Sequence, residues 1–181
     1  MPLSEANPIP IGTPKKDGAH DMFLSVPFVS QRPYKNLSWA ACGTMVLKFN
    51  HVDVSLSEIT SKTLGLDCSG MPPPCDTMAL PENVYKTYGF GCQVVEAPLS
   101  PQSVKACIAN MQPVQVYFQW QDGSGHVVLI TGYYENGDLL VHDPLRGTGR
   151  QTYRAVFYAY NRGTWQRTLY NFRRTFYVPR A

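Results

Sequence analysis

The stretch Gln31-Arg32-Pro33-Tyr34-Lys35-Asn36-Leu37-Ser38-Trp39-Ala40-Ala41-Cys42-Gly43 leads into the first strong helical pattern of the chain. Apolar residues at Ala41, Met45, Val46 and Phe49 recur at helical spacing and predict a helix from Ser38 to about Asn50. Ser38 at its start suits an N-cap, whose hydroxyl answers a free amide of the first turn. The same position suits a nucleophile, because the unpaired amides of a helix N-terminus favour negative charge. Cys42, the nearest thiol, comes one helical turn later.

Outward from this helix the chain divides by texture. Residues 1–21 hold four prolines and little periodicity, and read as an extended leader or linker. Residues 22–181 read as one folded unit. Phe23–Ser30 is a short extended segment. Ser55 followed by Glu58 is a capping-box pattern that begins a second helix. A Cys- and Pro-rich loop covers 67–77, then Leu80–Gly89 and Ser100–Asn110 read as helices with proline near their starts. From Val114 onward, Val114–Trp120, His126–Thr131 and Asp138–His142 are strand-like runs with turns between them, and Val156–Tyr160 and Phe172–Val178 are read as further strands. Helices packed on a C-terminal antiparallel sheet make an α+β fold.

At 181 residues, with 44% apolar and 12% aromatic residues, the chain suffices for a real core, and its formal charge of +3 is modest. The arginines near the C-terminus (154, 162, 167, 173, 174 and 180) alternate with aromatic residues, as the two faces of a strand would, so nucleic acid is not the expected partner. There is no apolar run long enough to span a membrane and no standard secretory signal. Five scattered cysteines support no zinc site, and Cys68 and Cys75 either pair locally or stay reduced. No cofactor is expected.

Chemistry gathers at four places. His126 opens an apolar strand after a Gly-Ser-rich loop, and Asp143 closes the next strand ahead of Pro144. A hairpin centred near Tyr134–Gly137 would set the two almost side by side, the arrangement that fixes an imidazole tautomer and stabilises the imidazolium. Gln31, ahead of Ser38, could aim its amide at an oxyanion, with the Ser38 backbone N–H as second donor. Each feature is unspecific alone, but in the order Gln, nucleophile, His, Asp they are specific.

The motifs Val26-Pro27-Phe28-Val29-Ser30-Gln31, Ser38-Trp39-Ala40-Ala41-Cys42-Gly43-Thr44-Met45, Gly125-His126 with Gly132-Tyr133, and Asp143-Pro144 resemble those of papain-like cysteine peptidases. They look most like the compact bacterial branch of secreted effector peptidases and relatives of bacteriocin-leader-processing peptidases. The resemblance implies Gln31 in the oxyanion hole, Ser38 in the nucleophile's place, His126 as base and Asp143 orienting it. It further implies a protein substrate, a secreted or target-cell-delivered toxin or effector, and a cognate immunity or inhibitor protein.

Ser38 departs from the pattern, which has Cys there. Three readings stand: an inactivating Cys-to-Ser change, a natural serine variant or pseudo-enzyme, and Cys42 as nucleophile. Against Cys42, a thiol one turn inside a helix faces along its wall rather than its start. A transglutaminase or acyltransferase on the same constellation, and a catalytically dead peptide-binding module, are the rival functions.

Overall fold

A computed structural model of the chain describes residues 20–175. The elements run β1 (Met22–Phe23), α1 (Ser38–Phe49), α2 (Leu56–Leu64), α3 (Glu82–Thr87), β2 (Phe90–Val95), α4 (Pro101–Ala109), β3 (Val114–Trp120), β4 (Gly125–Tyr133), β5 (Leu139–Asp143), β6 (Gly147–Gln151), α5 (Tyr153–Phe157) and β7 (Gly163–Arg174). The strands form one antiparallel sheet in the order β2-β7-β3-β4-β5-β6, and β1 pairs with β4. This is the α+β architecture expected, with helices against a sheet.

Helix α1 is the centre of the core. Every residue but Lys48 is buried, and it packs on β4, α2 and α3. Trp39, Met45, Val46 and Leu47 are fully enclosed, and each such apolar side chain contributes about 1.5–3 kcal/mol. Gly43 is required for that packing: a Cβ there would lie 2.8 Å from Val84 Cγ1 of α3. Strand β4 is buried along almost its whole length, as expected of a strand covered on both faces. No helix among the described residues is long and apolar enough to cross a membrane.

Local signals placed several elements as expected. Ser55 and Glu58 exchange both bonds of the capping box, and Gly65 closes α2 in the left-handed conformation. Ser100 caps α4 with Pro101 in the first turn. Cys68 and Cys75 are disulfide-bonded.

Four expectations are corrected. Ser38 is not the N-cap; Leu37 is, and no side chain caps the helix, so Ser38 is its first helical residue. Residues 156–160 are not a strand: Thr152 caps the short helix α5 by accepting from the Ala155 amide, and Tyr153 packs its ring at a tilt against Phe157 one turn on. Two strands escaped notice, β2 and β6; the latter is largely small and polar at an edge, where no alternation is demanded. The last strand starts earlier than expected, at Gly163, while 176–178 fall outside the described residues.

Candidate active site

The loop before α1 is fastened from two sides. The Asp76 carboxylate accepts from the amides of Lys35 and Asn36, and the Trp39 indole donates to Thr77 O at 2.9 Å. On the other side the Gln31 amide donates to Pro144 O at 2.9 Å and Arg32 Nε to Leu145 O at 2.7 Å. The entrance to α1 is thus held between the disulfide-bearing loop and the turn after β5.

Ser38 is buried, and its Oγ accepts from the Val127 amide at 3.0 Å. The Val127 carbonyl accepts from the Cys42 thiol at 3.5 Å. Residues four apart share one helix face, so Ser38 and Cys42 bind the two polar groups of one β4 residue. The β4–β5 ladder begins only at Leu129, which leaves this part of β4 without a β5 partner. His126 precedes Val127, so the same contact brings Ser38 beside the strand position of the imidazole, although no hydrogen bond joins the two side chains.

His126 Nε2 lies 2.8 Å from Asp143 Oδ1, with both groups buried. The two are not level in the hairpin. Leu129 pairs with His142, a bulge follows near Ile130, and continuing the register sets Asp143 against Val128 rather than His126. The side chains therefore meet diagonally past the end of the ladder, where His126 faces no β5 backbone.

Burial opposes ionisation of Asp143, but the bond from His126, its charge, and the amides of Leu145 and Arg146 outweigh that and lower its pKa. Asp143 is consequently an acceptor at neutral pH, which places the proton on His126 Nε2 and leaves Nδ1 for chemistry. The Tyr160 hydroxyl donates to Asp143 Oδ2 at 3.3 Å. Trp120 stacks on the His126 ring at 5.6 Å and 17°, and Phe118 lies 6.4 Å from it. Such a wall keeps water from the His126–Asp143 hydrogen bond and strengthens it.

Gln31 is fully buried, with Nε2 donating to Tyr34 O and Lys35 O at 3.2 Å each. Its Oε1 is buried without a partner. The amide is thus spent inside the loop that presents Ser38. The Cys42 thiol is fully buried; burial first, and Asp143 second, push its pKa well up. Among the described residues no cluster of His, Cys, Asp and Glu could hold a metal ion.

Trp120 and Tyr160 were not singled out from the sequence. Trp120 was within reach: Phe118 stands opposite His126 across β3–β4, and alternation puts Trp120 on the same face. Tyr160 gave no signal, because it arrives on an irregular turn.

The sequence matches the family model described as "Peptidase_C39 like family" over residues 23–171. No curated protein matches it. Among solved structures, the chain is similar to the peptidase domain of Streptococcus ComA, a bi-functional ABC transporter involved in a quorum-sensing pathway. That match has 14% identity and a TM-score of 0.58, over 82% of this chain and 98% of that one. It is also similar to a double-glycine-motif protease from an AMS/PCAT transporter, solved with its leader peptide. There the identity is 19% and the TM-score 0.53, over 93% of this chain and 98% of that one. At such identities the likeness shows the fold, while the family match rests on the sequence itself. The chain belongs to the peptidase C39-like family of papain-like cysteine peptidases.

Proposed function

We propose that this chain is a cysteine-peptidase effector or toxin domain acting on a protein substrate, with Ser38 in the seat of the nucleophilic thiol. The observation that carries the reading is the buried His126–Asp143 pair, set one residue from the Val127 amide that binds Ser38 Oγ. With Cys at position 38, the helix N-terminus favours a thiolate and His126 Nδ1 takes its proton. The thiolate adds to the scissile carbonyl. The collapsing intermediate forms a thioester and releases the amine, which His126 protonates; water then hydrolyses the thioester. Asp143 orients the imidazole throughout. Gln31 serves the oxyanion by turning its amide off the Tyr34 and Lys35 carbonyls, both long bonds at 3.2 Å.

Ser38 then acts as an inactivating substitution, since a hydroxyl is far less acidic than a thiol. Burial of Cys42 and its raised pKa argue against that thiol as the replacement. The relative solved with a leader peptide supports a peptide occupant for the site. The Cys68–Cys75 disulfide fits a secreted or delivered protein, as such bonds persist in oxidising compartments. A producing cell would then need an inhibitor protein that blocks the site.

The test compares Ser38→Cys, Ser38→Cys/Cys42→Ala and Ser38→Cys/His126→Ala on an unfolded protein substrate and on amine incorporation into the same substrate. Cleavage by the first two and not the third is expected. Incorporation without cleavage would replace the peptidase with a transferase. Activity that disappears with Cys42 would move the nucleophile.

A further inference from the structure

We propose that Tyr160 is a positioning residue of this site, which fixes Asp143, and through it His126, from the side opposite the imidazole. The inference deepens the peptidase reading and rests on it only for its kinetic arm. Asp143 Oδ1 is taken by His126 and the Leu145 and Arg146 amides, whereas Oδ2 receives the Tyr160 hydroxyl at 3.3 Å. Without Tyr160 the carboxylate would be held through Oδ1 alone, and its charge would concentrate on the bond to His126.

The backbone that delivers this hydroxyl is costly. Ala159, Tyr160 and Asn161 have φ of +47°, +56° and +65°, three successive non-glycine residues in the left-handed region. Single residues visit that region, but runs do not without a reason. The turn is over-determined: the Tyr160 amide donates to Ala155 O at 2.7 Å and Arg162 N to Ala159 O at 3.0 Å, with Ala159 fully buried. Its outcome is that the chain turns beyond the end of α5 and the Tyr160 hydroxyl reaches Asp143. The ring is then clamped, edge-on to Phe118 at 5.4 Å and under the Arg146 guanidinium at 4.6 Å.

The charged and titratable groups facing it are Asp143, Arg146 and Cys42, with His126 beyond the carboxylate. Burial and then Asp143 push the phenol's pKa up, so it stays a donor throughout the working range. A donor on Oδ2 shares the carboxylate's charge and limits how strongly Oδ1 pulls the His126 proton.

The Nε2 proton of His126 reports this link in the chain as it stands, by NMR at neutral pH. Tyr160→Phe keeps the ring and removes the hydroxyl, so the resonance should move downfield, and Tyr160→Leu should move it equally. In the Ser38→Cys background, Tyr160→Phe should lower kcat roughly 3- to 10-fold with KM unchanged, the loss expected for one hydrogen bond. An unmoved resonance in Tyr160→Phe, or a change confined to Tyr160→Leu, means the ring merely packs and overturns the proposal. If Ser38→Cys is inactive while the resonance moves, the peptidase reading fails and the Tyr160 link stands.

Discussion

The Ser38 hydroxyl accepts a hydrogen bond from the Val127 amide at 3.0 Å, tying the first turn of α1 to the strand that carries His126. The bond replaces a strand partner that β5 does not supply. It holds the Ser38 side chain through the backbone of the residue next to His126. Cys42 completes the tie one turn later on the Val127 carbonyl.

Cys42 should be chemically silent. Burial and Asp143 hold its thiol protonated, and the thiolate is the reactive form. Cys92 is half-buried with a pKa pushed up to about 11 by burial and by Glu82, and should react slowly. Mass spectrometry after iodoacetamide at pH 8 should show Cys42 unmodified until the chain is unfolded. Early labelling of Cys42 in the folded chain contradicts its assignment as a packing residue.

Asp143 should make the acid side of the stability curve steep. Its folded pKa is lowered, so its contribution is complete above the unfolded value of about 4 and disappears as pH falls through the folded value. Asp143→Asn should cost about 2 kcal/mol at neutral pH, and the gap to the parent should narrow below about pH 4. Urea titrations at the two pH values measure it, and a gap that widens in acid would reverse the sign.

Gly43→Ala should destabilise by about 1–3 kcal/mol through overpacking, because its Cβ would meet Val84 Cγ1 at 2.8 Å and Cγ2 at 3.2 Å. Val84→Ala in the same chain should restore part of the loss. Purely additive effects in the double-mutant cycle would show that the two positions do not conflict.

Reducing Cys68–Cys75 should cost about 2–3 kcal/mol, given a sequence separation of 7. The loss should be felt at the neighbouring Asp76, which holds the Lys35 and Asn36 amides ahead of Ser38. Hydrogen exchange at those two amides should quicken on reduction. Unchanged exchange would separate the disulfide from the entrance to α1.

Features legible beforehand were those with local causes. The capping box of Ser55 and Glu58, the Pro101 helix start and the turn at Gly137 each depend on a few adjacent residues. The candidate site was half legible. Ser38, His126 and Asp143 converge on the Val127 segment of β4, but Gln31 spends its amide on its own loop. That choice depends on where two carbonyls point, which no spacing encodes. Val156–Tyr160 misled because aromatic and β-branched content resembles a strand, whereas Thr152 capping and a left-handed turn decide its path.

By itself the sequence determined the helix that presents Ser38 and the strands that carry His126 and Asp143. Periodicity, caps and turns act over a few residues, so they can be read from order alone. Only the tertiary structure decided that His126 and Asp143 meet diagonally past the ladder, that Cys42 is sealed, and that Trp120 stacks on His126 while the Tyr160 hydroxyl reaches Asp143. Those outcomes follow from register, a bulge and long-range packing, whose energies depend on residues far apart in the chain.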